Sequence, residues 1–291
     1  RSVSLTGTPM ENRLSELWAI FDFINKGYLG SLKSFSDTFV ASIEREGNTS
    51  KVKELQNIIQ PFLLRRTKKD SEVALNLPDK IEQKEFVPLT SEQASLYEQL
   101  IKDTFDKIDQ LSSFERKGMI LQMIGRLKQL CNHPALYLKE EIIHNAHVRS
   151  GKLDKLLELV HAVKEQQESC LIFTQYIGMG QLIQSLLQQE YGHEVPFLTG
   201  SLGKKQRDHM IERFQNGEFP IFILSLKAGG TGLNLTAANH VIHYDRWWNP
   251  AVENQATDRA YRIGQTQFVQ VHKFVTIGTI EEKIDKMIAM K

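Results

Sequence analysis

Two arginines three residues apart, Arg259 and Arg262, lie in the run Gln255-Ala256-Thr257-Asp258-Arg259-Ala260-Tyr261-Arg262-Ile263-Gly264-Gln265. On a helix such a pair shares one face, and two planar guanidinium forks suit the spread negative charge of a transferring phosphoryl group. In isolation the same spacing also fits a solvated helix with Arg259 paired to Asp258. Upstream, the apolar run from Ile221 to Leu224 is followed by Ser225-Leu226-Lys227-Ala228-Gly229-Gly230-Thr231-Gly232-Leu233. Glycines and small hydroxyl residues let backbone N–H groups turn toward a phosphate oxygen, and Lys227 adds a positive charge. A glycine-rich turn after a strand is, by itself, equally an ordinary tight turn. Between the two lies Asp245-Arg246-Trp247-Trp248-Asn249-Pro250. Adjacent side chains of an extended strand point to opposite sides, so one tryptophan must face a loop or a partner.

These residues need a frame. From Gly151 onward, short apolar runs alternate with amphipathic stretches. The runs are Cys170 to Thr174, Val195 to Thr199, Ile221 to Ser225, His240 to Tyr244 and Phe268 to Val275. Leu153, Leu156, Leu157, Val160 and Val163 form one helical face, and Leu182, Ile183, Leu186 and Leu187 another. Such alternation predicts an α/β fold with a parallel sheet covered by helices on both faces, whose ligands collect beyond the carboxyl ends of the strands. Ahead of it, Ile81 to Val87 predicts a further strand. Thr90 with Gln93 predicts a capping box, and the stripe Ile120, Leu121, Ile124, Leu127, Leu130 predicts a helix closed by Asn132-His133-Pro134. Nearer the start, Leu14, Leu17, Trp18, Phe21 and Ile24 predict an amphipathic helix stopped by Gly27 and Gly30. A polar stretch, Glu44 to Lys53, then leads to Leu55, Ile58, Ile59 and Phe62, and to the basic cluster Arg65, Arg66, Lys68, Lys69.

Bulk properties exclude little more. With 41% hydrophobic and 24% charged residues the 291-residue chain has the composition of a folded globular protein. Its longest apolar runs fall far short of the roughly 20 residues of a membrane span, so no membrane partner is expected. A net charge of +1 leaves any nucleic-acid affinity to a local patch. The two cysteines, Cys131 and Cys170, have no metal-ligand spacing and are expected to be reduced core residues, and no metal site of the chain's own is expected.

Taken together and in order, several stretches resemble the Swi/Snf branch of superfamily-two helicase-like ATPases: Ser4 to Asn12, Leu63 to Arg66, Leu130 to Pro134, Phe173 to Tyr176, the glycine loop, Trp248 to Pro250 and Asp258 to Gln265. The resemblance covers essentially the whole chain. It implies RecA-like lobes with helical protrusions, ATP with magnesium bound between two lobes, and double-stranded DNA running across both. By that resemblance residues 1–10 are the end of a first lobe, with Thr6, Gly7 and Thr8 of its motif III coupling ATP to DNA. Residues 11–62 are its helical protrusion, 63–80 the crossing between lobes, and 81–291 the second lobe with a helical insertion at about 91–137. Arg259 and Arg262 are then arginine fingers, and Gly230, Thr231 and Gly232 line the nucleotide cleft. Thr174, Gln175, Tyr176, Gly200, Ser201, Lys227 and Trp248 approach the DNA. Tyr261 stands where the family most often has His.

The implied function is one lobe of a DNA-dependent ATPase that translocates on duplex DNA and remodels DNA-bound complexes. It is expected in the cytoplasm at the nucleoid if prokaryotic, or in the nucleus if eukaryotic. The alternative is a non-catalytic module on the same lobe that binds nucleic acid or protein. A dinucleotide-binding oxidoreductase is a poorer fit, because Gly178-Met179-Gly180 is followed by Gln, Leu and Ile rather than the third glycine of the fingerprint. The sequence holds no G-x-x-x-x-G-K-[ST] loop and no D-E-x-H-type acidic motif. Its partners are therefore expected to be duplex DNA and a missing N-terminal ATPase lobe. Residues 1–9 are expected to be poorly packed or to borrow a neighbour, since Val3 and Leu5 look like part of a strand whose sheet belongs to the missing lobe, and such an exposed apolar edge invites self-association. Purified as 291 residues, the chain should hydrolyse no ATP above background, since nothing in it cradles the phosphates and their counter-ion. A steady-state phosphate-release assay with and without duplex DNA checks this, and DNA-stimulated turnover would overturn it.

Overall fold

The computed structural model describes residues 2–6, 10, 13–65, 77–109, 111–226 and 233–290. The chain divides into two compact units, residues 1–76 and 77–291.

In the first unit, α1 (Leu14–Ile24) buries Leu14, Leu17 and Phe21. Glu44 accepts a hydrogen bond from the Leu14 N–H at 2.7 Å, satisfying one of the four amides that a helix start leaves open. The helix is followed by Gly27, whose φ of +78° suits a residue without a Cβ. Next, α2 (Leu32–Phe35) runs straight into a π-helical stretch, Ser36–Arg45, and α3 (Thr49–Ile59) is capped by the Asn48 side chain. The polar stretch read from Glu44 to Lys53 is thus the end of one helix and the start of the next. Phe35, Phe39, Leu55 and Ile59 complete this small core. Residues 2–6 form no strand, and Val3 and Leu5 are exposed, in keeping with a segment expected to be poorly packed.

The second unit is a six-stranded sheet, all parallel, in the order β1-β6-β5-β2-β4-β3. Its strands are β1 (Lys80–Val87), β2 (Cys170–Thr174), β3 (Phe197–Leu198), β4 (Ile221–Ser225), β5 (His240–His243) and β6 (Val269–Thr276). Successive strand residues face opposite ways. Cys170 and Ile172 therefore join Ile221, Ile223 and Ile242 in one core, against α7 (Gly151–Glu165) and α8 (Ile177–Tyr191). Leu171 and Phe173 join Phe222, Leu224 and Val241 in the other, against α9 (Lys204–Gln215) and α10 (Pro250–Thr257). β3 is shorter than the expected Val195 to Thr199, because Pro196 has no N–H to give a ladder. A side chain at Gly180 would meet the Phe197 ring at 2.2 Å, so the glycine of the failed dinucleotide fingerprint serves close packing of helix on strand.

Between β1 and α7 the chain makes a helical hairpin of α4 (Ser91–Ile108) and α5 (Ser113–Asn132), followed by α6 (Pro134–Leu138). The expected capping box is present: the Gln93 N–H donates to the Thr90 hydroxyl, and the Thr90 N–H donates to the Gln93 side chain. Gln93 also donates to the carbonyls of Leu130 and Cys131, which ties the two helices together. His133, extended ahead of Pro134, accepts from the Ala135 N–H through Nδ1, while its Nε2 lies 2.8 Å from the Ala146 carbonyl oxygen. The last helix is α11 (Ile280–Ala289). Among the described residues no helix is long and apolar enough to cross a membrane. Both cysteines are free and buried, and burial pushes their thiols up to about 12.

Burial holds the His243 imidazole down at about 4 and lowers His133 and His272 as well. All three are thus neutral in the fold near neutral pH and take up a proton more readily on unfolding. The contribution of His243 is complete above the ordinary histidine value of 6.5 and is lost as pH falls toward 4, and those of His133 and His272 begin to be lost as pH falls below the same 6.5. Each such group steepens the decline by about 1.4 kcal/mol per pH unit inside its window. Urea unfolding between pH 7 and 4.5 should show this acid-side loss, and His243→Gln should make it shallower.

Candidate functional site at the carboxyl edge of the sheet

Because every strand runs the same way, the segments after β2, β3, β4 and β5 all emerge at one edge. Lys227, Gly230, Thr231 and Gly232 lie outside the described residues, as do Gly7 and Thr8; Thr6 is exposed in the first unit. The margins of the glycine loop are well defined. On one side the Leu226 N–H donates to the Thr174 carbonyl at 3.0 Å. On the other, the Leu235 N–H donates to the Arg259 carbonyl at 2.9 Å, and Arg262 Nη1 donates to the Leu233 carbonyl at 2.9 Å.

The arginine pair lies on a turn and not on a helix. α10 ends at Thr257, and the chain turns tightly as Arg259 and Ala260 donate to the carbonyls three residues back, Ala256 and Thr257. Gln265 pins the turn by donating to the Ala238 and Ala260 carbonyls. Arg259 is buried, its guanidinium carbon 5.5 Å from the Phe173 ring centroid, and burial lowers its pKa to about 10, so it stays charged at neutral pH. Arg262 is half-buried and reaches the loop margin instead.

Thr174, Gln175 and Tyr176 follow β2. Thr174 is fully buried and its hydroxyl donates to Asp245 Oδ2 at 2.6 Å, so its side chain positions the loop. The Gln175 N–H donates to Asp245 Oδ1 at 3.0 Å, and its side-chain amide reaches the Arg246 carbonyl at 3.4 Å. Tyr176 is half-buried against the α7 side of the sheet. After β3, Gly200 and Ser201 are exposed, and nothing lies within 4 Å of where a Gly200 side chain would start.

Asp245 is the residue that the motif reading left without a role. Besides Thr174 and Gln175 it accepts from Asn132 Nδ2 at 3.0 Å. Asn132 in turn accepts from Lys152 Nζ through its side-chain oxygen, and Ser150 and Tyr244 donate to its carbonyl. Lys152 is fully buried and paired with Glu281. Next to Asp245, Arg246 forms ion pairs with Glu253 and Asp285 while 2% exposed. Glu253 also accepts from the Trp247 N–H at 3.1 Å. Trp247 packs against the core beside α10, whereas Trp248 is 38% exposed, as expected for one of two adjacent tryptophans. The signal that could have exposed this network is a charged pair, Asp245-Arg246, closing an apolar strand, since buried charges demand partners. Among the described residues no group of three or more His, Cys, Asp or Glu side chains is placed to hold a metal ion.

Residues 1–136 match the family model described as the SNF2-related domain, and residues 151–264 match the helicase conserved C-terminal domain. The chain is 65% identical over 289 residues to the Bacillus subtilis protein YwqA, named as a candidate ATP-dependent helicase/translocase. The match covers 99% of this chain and 31% of YwqA. Two solved structures from Sulfolobus solfataricus are similar. The SWI2/SNF2 ATPase core in complex with double-stranded DNA is 46% identical with a TM-score of 0.66, over 99% of this chain and 60% of that one. The SWI2/SNF2 ATPase C-terminal domain is 44% identical with a TM-score of 0.63, over 73% of this chain and 86% of that one. The chain belongs to the SWI2/SNF2 family of ATPases, and its sheet is a RecA-like lobe. It spans less than a third of the length of the curated relatives it matches, with 31% for YwqA and 27% for an uncharacterised ATP-dependent helicase of Mycoplasma pneumoniae.

Asp245→Ala would strand three donors at once, two of them buried, and should cost about 3 kcal/mol or more, whereas Thr174→Val, which removes one donor and keeps the carboxylate, should cost about 1–2 kcal/mol. Urea denaturation of the two variants checks the order. Equal and small losses would show that the carboxylate does not organise this edge.

Proposed function

We propose that residues 81–291 are the second ATPase lobe of a DNA-dependent, ATP-driven translocase on duplex DNA, with residues 1–10, 11–62 and 63–80 as the end of the first lobe, its protrusion and the crossing. The observation that carries the reading is the tie between the arginine turn and the glycine loop: Arg259 through its carbonyl and Arg262 through its guanidinium both hold the segment Leu233 to Leu235. Two cations and a loop rich in backbone N–H groups at the carboxyl edge of a parallel sheet suit a phosphate ligand. The donor chemistry fits, because Arg259 stays protonated at neutral pH and Arg262 donates through Nη1 to the Leu233 carbonyl. ATP with magnesium, held mainly by the other lobe, would supply the transferable phosphoryl group. Arg262 would place charge beside that group as negative charge spreads on it, Arg259 would fix the turn and add to the positive field, and Gly230, Thr231 and Gly232 would line the cleft.

Gln175, Tyr176, Gly200, Ser201, Lys227 and Trp248 would form the DNA track on the neighbouring loops, with Thr174 acting through Asp245. The similarity to a SWI2/SNF2 ATPase core solved in complex with double-stranded DNA supports the choice of duplex as substrate. Relatives named as a chromatin-remodelling ATPase and as DNA repair proteins support a role in displacing or remodelling DNA-bound complexes.

Arg262→Ala in the intact protein should lower DNA-stimulated ATP hydrolysis by about 10³-fold or more, the range of an arginine finger. Its melting temperature and nucleotide-free DNA affinity should stay close to those of the parent. Lys at this position should restore little, since a point charge lacks the bidentate fork. Full turnover by Arg262→Ala would remove the finger assignment. Arg259→Ala alone does not decide it, because that side chain is also buried against Phe173.

A further inference from the structure

On α5, at the margin of the same edge, Lys128 is 3% exposed. Its ammonium lies 5.9 Å from the ring centroid of Trp247 and 5.9 Å from that of Trp248. Among the described residues it donates no hydrogen bond. A buried ammonium without an acceptor is costly unless something else compensates its charge. Two indole faces provide such compensation, because an aromatic quadrupole attracts a cation within about 6 Å of the centroid, and tryptophan does so best. Charged groups from the surrounding elements also act on Lys128. Asp245 after β5, Glu253 on α10 and Glu281 on α11 attract it and Lys152 on α7 repels it, while burial lowers its pKa.

The tryptophan loop has its own anchors before Trp248, in the Glu253 bond to the Trp247 N–H, and after it, in the Asn249 cap of α10. Neither reaches the Trp248 ring. Among the described residues the one cation–ring contact to that ring is from Lys128, which comes from the helical hairpin inserted between β1 and α7.

We propose that Lys128 is a positioning residue, whose ammonium is held against both indoles and so fixes the Trp248 ring at its half-exposed stance. It thereby links the hairpin to the loop. The positioning stands on the geometry alone; its consequence for nucleic-acid binding rests on the reading of Trp248 as a DNA contact.

The chain has three tryptophans, so Trp18→Phe with Trp247→Phe leaves Trp248 as the single reporter. In that background, Lys128→Met keeps the length of the stem and removes the charge. Acrylamide quenching of Trp248 should rise, by less than about threefold because the ring is already 38% exposed, and its emission should shift to the red as the cation–π contact is lost. Lys128→Arg should restore the parent values. Equal quenching in all three proteins overturns the proposal. Should Lys128→Met fail to fold, the pH profile decides. Quenching of the parent should climb as pH rises toward the ordinary lysine value of 10.5, while Lys128→Arg, which keeps its charge, stays flat. Parallel profiles overturn the proposal.

Duplex binding separates the two readings. Lys128→Met should weaken it by about two- to fivefold with the salt slope unchanged, and a slope reduced by about one unit would instead make Lys128 a phosphate contact and overturn positioning. If Trp248→Ala binds duplex like the parent, the DNA role of Trp248 fails, and the quenching results still decide what Lys128 does.

Discussion

A carboxylate taken wholly out of water has to be given its donors by the protein, and Asp245 is given three from two separate segments. That requirement fixes the carboxyl edge of the sheet. The end of β2 cannot drift, because Thr174 and Gln175 both donate to Asp245. The end of α5 cannot drift, because Asn132 does too, while accepting from buried Lys152, itself paired with Glu281. A chain of buried polar groups stays favourable only while every member is satisfied, so the geometry is specified far more narrowly than apolar packing would specify it. The loops that face outward from this edge inherit their positions from it.

A second charged set continues the same logic on the far side of the strand end. Arg246 is held by Glu253 and Asp285, and Asp285 also pairs with Lys84 on β1. Glu253 lies on α10, so the helix that leads into the arginine turn is fastened to the segment after β5 that carries Asp245 and Arg246. The nucleotide-side and DNA-side candidates are therefore tied through one group of buried charges.

Much of this frame could be read from the chain. The runs Cys170 to Thr174 and Ile221 to Ser225 are β-rich and apolar throughout, as strands buried on both faces must be, and their bounds are those observed. Thr90 with Gln93 announced its helix because a capping box is a local interaction. Long-range partners were not legible. Asn132 and Asp245 are 113 residues apart, and no local pattern encodes which carboxamide meets which carboxylate. Nor was the end of α10. Arg259, Ala260 and Tyr261 are all acceptable helix residues, and what diverts them is tertiary: the Arg259 carbonyl is taken by Leu235 and the Ala260 carbonyl by Gln265. The partner of Thr174 was not legible for a related reason, since a threonine at a strand end has the same spelling whether its hydroxyl faces solvent or a buried carboxylate. The π-helical stretch leaves no signature in a pattern read at helical period.

The pairing of β1 with β6 bears on how such a chain is made. Partners in that ladder are separated by 189 residues, as for Gln83 and His272, while β2 and β4 close over a much shorter interval. Contacts so remote in sequence raise contact order, and loop closure has to be met before they give anything back. On a ribosome adding about 5–20 residues per second, β1 would emerge roughly ten to forty seconds before its only ladder partner among the described strands. In that interval Ile81 and Phe86 have no sheet to join, and the hairpin after β1 can fold on local contacts alone. The sheet would then grow from β2 outward and receive β1 last, making this edge the natural place for a chaperone to hold the nascent chain and for misfolding to begin.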